Sequence, residues 1–146
     1  MDGFILSIDQ GTSGTKAIIF NHAGNIVASA FHEVVTYYPH VGWVEQDANE
    51  IWTKTLQAVS DVLRDSRLLP EDILAIGISS QRCTSVAWNK NTSEPIGRAI
   101  LWQDRRTQYI CDRISNENKS LNKFEYNVKI LPNASFSKIL WLMEED

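Results

Sequence analysis

Short apolar runs separated by small polar turns open the chain. Residues 4–9 form an apolar run ending in Asp9, residues 16–21 return to Ala, Ile and Phe, and residues 26–35 alternate between apolar and polar side chains. Runs of this length and spacing predict three consecutive strands joined by short turns. We therefore expect a meander at the amino terminus, with its first strand buried.

After Gly42-Trp43 the apolar positions change to a helical period. Asp47, followed three residues later by Glu50, resembles a capping box at the start of a helix. Apolar residues then recur at helical spacing at Ile51, Trp52, Leu56, Val59, Val62 and Leu63. This pattern predicts a helix from about residue 48 to residue 66.

The remaining segments alternate strands, loops and helices. In chain order they are a buried strand at 73–79, shorter strands at 85–89 and 99–102 around a polar turn at 90–94, a helix capped by Asp104 and ending near Ser115, a loop at 116–123 and a helix at 135–144. A meander followed by helix–strand alternation predicts an α/β domain with a mixed sheet and flanking helices.

Composition narrows the class of protein. The 146 residues suit one domain with one core, and the formal net charge of −4 gives no electrostatic attraction to nucleic acid or anionic membranes. The start of the chain carries neither a basic leader nor a long apolar run, so we expect a cytoplasmic protein without a membrane span. In that compartment Cys83 and Cys111 are expected to be free thiols.

The stretch Asp9-Gln10-Gly11-Thr12-Ser13-Gly14-Thr15-Lys16 carries the chemistry most suited to an anion. A carboxylate at a strand end can hold a metal ion or its water, and small residues let backbone N–H groups approach a phosphate. Hydroxyls of Thr12, Ser13 and Thr15 can donate to that phosphate, and Lys16 adds a positive charge. The spacing is not that of the Walker loop. A polar hairpin turn that binds nothing remains the alternative from these residues alone.

Four segments in order resemble the FGGY family of carbohydrate kinases, with the glycerol-kinase-like subgroup nearest. They are the Asp9–Lys16 loop between two strands, Gly42-Trp43-Val44-Glu45-Gln46-Asp47 with Ile51-Trp52, Gly77 to Arg82, and Ile100 to Thr107 with its Trp-x-Asp-x-Arg pattern. Ala48 stands where the family usually has Pro. Together these segments span nearly the whole chain.

The resemblance implies a ribonuclease-H-like fold of the actin and hexokinase superfamily. Residues 1–146 would be the amino-terminal portion of the first kinase domain, incomplete and without the second domain. The implied reaction is transfer of the γ-phosphate of ATP, with Mg²⁺, to a sugar or polyol by the full-length protein. The catalytic base is expected beyond Asp146, so the chain alone should be inactive. Homo-oligomers of the full-length protein are compatible with the resemblance.

The resemblance also implies roles for individual residues. Asp9 would organise Mg²⁺ through water, and Thr12, Ser13, Gly14 and Lys16 would hold nucleotide phosphates. The substrate site would be lined by Arg82, Cys83, Trp102 and Asn133. For Arg82 a structural ion pair, for Trp102 core packing and for Asn133 an ordinary loop position remain the alternatives.

Two of these positions depart from the glycerol-kinase-like pattern. Cys83 stands where a Glu accepts from substrate hydroxyls, and a thiol is a poor acceptor without charge at neutral pH. Asn133 stands where a Tyr helps to enclose the substrate. Both changes predict a substrate different from, or larger than, glycerol.

Arg105 and Arg106 fall in the first turn of the helix predicted after Asp104, where cations oppose the helix dipole. This conflict suggests a partner, either an acid on another domain or an anion. A surface ion pair with Asp104 is the alternative.

Two other functions are weighed against the kinase. One is a non-catalytic, shortened actin-like module that acts in binding or assembly. The other is a different member of the superfamily, such as an acetate kinase or a chaperone ATPase. The segments from Gly42 to Trp52 and from Trp102 to Thr107 argue against the latter.

Overall fold

Alternating apolar residues place the first strands of the chain in one sheet. The computed structural model describes residues 3–121 and 130–144. Its elements are β1 Phe4–Gln10, β2 Gly14–Phe20, β3 Ile26–Glu33, β4 Thr36–Tyr37, β5 Glu45–Gln46, α1 Ala48–Ser66, β6 Ile73–Ser80, β7 Ala99–Ile100, α2 Gln108–Leu121 and α3 Ser135–Glu144. They belong to two compact units, residues 1–35 with 47–81 and residues 36–46 with 82–146. The length had suggested one core.

The first unit contains a four-stranded mixed sheet in the order β3-β2-β1-β6. The pairs β1–β2 and β2–β3 are antiparallel, which confirms the predicted meander, and β6 lies parallel to β1. A parallel neighbour requires a crossover connection, and α1 supplies it.

The core of this unit lies between the meander and α1. Leu6 and Ile8 of β1 are buried with Ala17 and Ile19 of β2, and all four pack in one cluster with α1. The buried residues of α1 are Ala58 and Val62, four positions apart on the same helical face. Strand β1 is therefore buried on the α1 side and open on the other, where Ile5 is exposed.

Helix α1 confirms the prediction from its apolar period. The Asp47 side chain accepts from the N–H groups of Asn49 at 2.8 Å and Glu50 at 3.3 Å, as an N-cap should. The Glu50 carboxylate accepts from the N–H of Val35 at 3.4 Å, so it ties the helix start to the chain beyond β3. The helix ends at Ser66 and is capped by Arg67, which has a left-handed backbone with φ of 57°.

Strand β6 was correctly predicted as a strand, but the prediction that it is buried was wrong. Leu74, Ile76 and Ile78 are 71%, 59% and 73% exposed. The register aligns Ile76 with Leu6 and Ile78 with Ile8, so these side chains lie on the α1 side of the sheet. They are exposed because α1 packs mainly on β2 and β3, and because β6 pairs only with β1 within the described residues.

Among its described residues, the second unit has short strands and two helices. Strands β4, β5 and β7 form a small antiparallel sheet in the order β4-β5-β7. The strand predicted at residues 85–89 is reduced to isolated bridges, Ser85 with Ile100 and Trp88 with Pro95. The strand predicted at 99–102 is limited to β7.

The two helices of this unit differ in how well the sequence predicted them. Helix α3 has its predicted bounds. Helix α2 begins at Gln108 rather than after Asp104, and it continues to Leu121 through most of the predicted loop. Residues 116–121 contain neither Gly nor Pro, so their polarity alone does not stop the helix. Residues 122 and 123 of the predicted loop lie outside the described residues.

In the described ranges, no helix combines the length and the apolar character that crossing a bilayer requires.

Candidate functional site

The predicted phosphate loop is a tight turn between β1 and β2. The N–H of Gly11 donates to the carbonyl of Gly14 at 2.9 Å and closes the turn. The Gly11 carbonyl accepts from the amides of Gln10 at 3.0 Å and Gln81 at 3.2 Å, and the Ser13 carbonyl accepts from the N–H of Val34 at 3.2 Å. These bonds fix the loop backbone in place before any ligand binds.

The absence of a side chain has a different structural effect at each of the two glycines of this loop. A Cβ added to Gly14 would lie 2.2 Å from the His32 carbonyl oxygen and 2.9 Å from the Cα of Glu33, so close packing of β3 requires glycine there. A Cβ added to Gly11 would meet only the Gly14 carbonyl oxygen, at 3.5 Å. Gly11 therefore leaves open space on the loop, whereas Gly14 is needed by the sheet.

Asp9 and Lys16 lie side by side on one face of the sheet. They are directly opposed in the β1–β2 register, and Ser79 of β6 aligns with Asp9 on its other side. Facing pairs in a sheet point to the same side. Both Asp9 and Lys16 are exposed, and neither forms an ion pair or side-chain hydrogen bond with another described residue. A carboxylate and an ammonium thus stand together beside the turn.

Thr15 does not share that face, contrary to its expected role as a phosphate donor. Its side chain is fully buried, and its hydroxyl lies 3.1 Å from the hydroxyl of Thr55 on α1. The Thr55 hydroxyl donates its proton to the Ile51 carbonyl at 2.8 Å, so Thr15 donates to Thr55. The Thr15 hydroxyl therefore joins the loop to α1 in the core.

Residues proposed for the acceptor site lie in the second unit. Arg82 and Cys83 are exposed in the turn after β6, and Cys83 has a left-handed backbone with φ of 61°. Such a conformation costs a non-glycine residue on the order of 1 kcal/mol or more. Cys83 and Cys111 are both free thiols, and only Cys83 is exposed.

Trp102 and Asn133 line one cleft of about 300 Å³. Trp102 is 42% exposed, so it is not a core residue in the described structure. The other residues that line the same cleft are Gln103, Asp104, Arg105, Gln108, Leu131 and Pro132. Arg82 and Cys83 are not part of that lining.

Arg106 is buried, so the expectation of an external partner for it was wrong. Its guanidinium donates to both carboxylate oxygens of Asp104, at 3.0 and 2.8 Å, and to Glu45 at 2.7 Å. It also lies 3.7 Å from the ring centre of Trp43 and 4.8 Å from that of Trp141. The pair with Asp104 is the alternative drawn from the sequence, but it lies in the interior and before helix α2.

Lys138 is the residue near these turns that the sequence did not single out. It lies on α3, is fully buried, and donates to the carbonyls of Cys83 at 2.8 Å and Asn133 at 2.9 Å. Burial lowers the pKa of its ammonium. On the same helix the apolar residues Phe136, Ile139 and Met143 are exposed.

A metal ion would find few protein ligands here. Among residues 3–121 and 130–144, no three His, Cys, Asp or Glu side chains are grouped as metal ligands. Mg²⁺ is commonly held by one or two carboxylates together with phosphate oxygens and water. The single exposed carboxylate of Asp9 fits that mode and not an all-protein cage.

Known proteins similar to this chain are sugar kinases. A solved structure of Plasmodium falciparum glycerol kinase with ADP superposes with a TM-score of 0.85 at 31% identity, over 99% of this chain and 29% of that one. Gluconate kinase from Lactobacillus acidophilus gives a TM-score of 0.85 at 23% identity, with the same coverages. The predicted fold class, a ribonuclease-H-like domain of the actin and hexokinase type, is confirmed.

The sequence comparisons then define the family. The pattern of the FGGY family of carbohydrate kinases, N-terminal domain, matches residues 4–146. The glycerol kinase of Oceanobacillus iheyensis is 45% identical over 142 residues, which cover 97% of this chain and 28% of that protein. The chain belongs to the FGGY family of carbohydrate kinases, and it spans less than a third of the length of these relatives.

Proposed function

We propose that the protein containing this chain transfers the γ-phosphate of ATP to a hydroxyl of a sugar or polyol. The chain supplies the phosphate loop and part of the acceptor site. The observation that carries the proposal is the pairing of exposed Asp9 and Lys16 beside a fixed turn of small residues, in a member of a carbohydrate kinase family. Phosphoryl transfer depends mainly on positioning and charge stabilisation, and such a turn offers both.

The nucleotide phosphates are held by Thr12, Ser13, Gly14 and Lys16. Ser13 and Lys16 are exposed, and the space beside Gly11 admits a phosphate close to the backbone. Gly14 contributes only backbone groups. Lys16 places its positive charge where the phosphates gain negative charge during transfer.

Asp9 holds Mg²⁺ through water. Its carboxylate is exposed and lies on the same sheet face as Lys16. A bound Mg²⁺ would supply positive charge beside the nucleotide phosphates, and Asp9 is the residue of this chain that would hold it. Asp9 would orient water on that ion and would not itself take the proton of the acceptor hydroxyl.

The acceptor is bound by Arg82, Cys83, Trp102 and Asn133. Trp102 and Asn133 line a cleft of about 300 Å³, a size that suits a small polyhydroxy compound. Arg82 donates to hydroxyls from the turn after β6. Because Cys83 offers no anionic acceptor, the preferred substrate is a sugar or polyol other than glycerol, or larger than it.

The activity is tested by ADP release from the full-length protein across glycerol, longer polyols and ketoses. We expect ADP release that requires one acceptor of this panel, and no measurable turnover by the 146-residue chain alone. Asp9→Asn should lower kcat by about a hundredfold or more, because the loss concerns charge stabilisation in the transition state. The control Asp65→Asn alters an exposed carboxylate of α1 and should leave kcat unchanged. Acceptor-independent ADP release, or none with any acceptor, would refute the proposal.

The non-catalytic module remains the rival, and the gene sequence discriminates between them. An open reading frame that continues past Asp146 into an aspartate motif and a second domain supports the kinase. A stop codon directly after Asp146 favours the module.

The specificity of the acceptor site is tested at Cys83. Cys83→Glu restores an anionic acceptor and should lower the KM for glycerol by roughly tenfold, since a hydroxyl's lost partner costs about 1–3 kcal/mol. Cys83→Ser is the control, because it keeps the side-chain size without adding a charge. An unchanged KM for glycerol in Cys83→Glu would mean that Cys83 does not occupy the acceptor position.

A further inference from the structure

Lys138 is a buried cation whose partners are two backbone carbonyls. Its side chain has no exposed surface, and its ammonium donates to Cys83 at 2.8 Å and Asn133 at 2.9 Å. No carboxylate of the described residues forms an ion pair with it within 4.0 Å.

Burying an ammonium without a carboxylate partner is unfavourable in free energy, so its two hydrogen bonds are expected to have a structural role. Removing an ammonium from water costs several kcal/mol, and buried cations are usually paired with carboxylates. A Leu or Met side chain would fill the same space without that cost. The ammonium therefore contributes what an apolar side chain cannot, which is a link between two carbonyls 50 positions apart in the chain.

Both linked carbonyls belong to turns that carry proposed acceptor-site residues. One turn holds Arg82 and Cys83, and the strained backbone of Cys83 persists only if its surroundings hold it. The other turn holds Asn133. Its neighbouring carbonyl, that of Ala134, accepts from the buried hydroxyl of Ser137 at 3.0 Å.

We propose that Lys138 is a positioning residue of the acceptor site, which fixes the Cys83 turn to the Asn133 turn. This inference rests on the proposed function. It adds that recognition of a neutral polyhydroxy acceptor depends on a residue that does not touch the acceptor. The hydrogen bonds of Lys138 do not involve the Asp9–Lys16 loop, so ATP binding does not depend on Lys138.

The test uses the full-length protein with Lys138→Met, which keeps the length and volume but removes all three donors. The KM for the acceptor should rise tenfold to a hundredfold, as small misplacements of positioning groups have effects of about that size. The KM for ATP should stay within about twofold. Lys138→Arg, which keeps the charge and donors, should recover most of the acceptor affinity. The matched control is Ser137→Ala, which is equally buried and tied to the Asn133 turn but not to Cys83.

Hydrogen exchange separates this inference from the proposed function. In Lys138→Met the amides of residues 82–84 and those of residues 131, 133 and 134 should both exchange faster, whereas in Ser137→Ala only the second group should. If Lys138→Met does not fold, Lys138→Gln replaces it, because its shorter amide reaches at most one carbonyl. An acceptor KM within twofold of wild type, or an equal rise in both KM values, overturns the inference. If the wild type uses no acceptor, the proposed function fails, and unchanged exchange at residues 82–84 would show independently that the link is absent.

Discussion

Asp104→Asn is the substitution for which the structure gives the sharpest expectation. Asp104 is 1% exposed, and its carboxylate accepts four hydrogen bonds. Its Oδ2 accepts from the Val44 N–H at 2.7 Å and from Arg106 Nη2 at 2.8 Å. Its Oδ1 accepts from the Arg106 N–H at 2.8 Å and from Arg106 Nε at 3.0 Å. An asparagine amide has one oxygen, so either orientation turns an NH₂ group towards two donors.

The magnitude follows from the loss of a buried partner. Arg106 would keep Glu45 and the rings of Trp43 and Trp141, but its guanidinium would lose its main counter-charge. Removing one partner of a buried ion pair costs about 3–5 kcal/mol, and we expect that loss in the free energy of unfolding of Asp104→Asn. The cation–π contacts do not offset this loss, because Arg106 already makes them in the wild type.

The assay is urea unfolding of the full-length protein, followed by tryptophan fluorescence. The matched control is Asp112→Asn, an exposed carboxylate that accepts from the Gln108 amide one helical turn away at 2.9 Å. That contact is worth about 0.2–0.5 kcal/mol. A loss in Asp104→Asn within 1 kcal/mol of the control, on the order of the spread between surface substitutions, would refute the reasoning.

Two further predictions concern the first unit. The hydrogen bond from His32 at 2.8 Å, followed by the charge of Arg64, holds the pKa of Asp61 below its ordinary value of 3.8. Its contribution to stability is complete above that value and is lost as pH falls through the lowered pKa, so between about pH 5 and pH 3 the melting temperature of wild type should fall more than that of Asp61→Asn. Gly14→Ala should lower the melting temperature by several degrees, because the added Cβ meets the backbone of β3. Gly11→Ala should leave the melting temperature unchanged and should raise the KM for ATP. Equal melting temperatures for the two alanine variants would contradict the packing argument.

The sequence predicted best where local pattern and global fold agree. The β1–β2–β3 meander and α1 follow from apolar runs of the right period, because the same residues that set the local structure also meet in the core. The bounds of α3 were also predicted, but its orientation was not. Helix α3 buries Ser137 and Lys138 and exposes Phe136, a choice that only distant partners explain.

The candidate site was harder to predict for the same reason. The burial of Arg106 depends on Glu45, 61 positions earlier, and on Trp43 and Trp141 from opposite parts of the second unit. The periodicity of apolar residues carries no information about contacts between residues so far apart in the sequence. The contact of His32 on β3 with Asp61 on α1 is another case, since the two residues lie on different elements 29 positions apart.

The exposed β6 strand affects the solubility of a polypeptide made of these residues alone. One margin of β6 carries backbone N–H and C=O groups without a neighbouring described strand, beside the apolar row of Leu74, Ile76 and Ile78. Such margins act as templates for other strands and promote aggregation. A recombinant piece restricted to residues 1–146 would therefore tend to self-associate through β6, and loss of solubility would precede loss of fold. Charged replacements at Ile76 or Ile78 offer a practical remedy, because neither residue belongs to the buried core cluster.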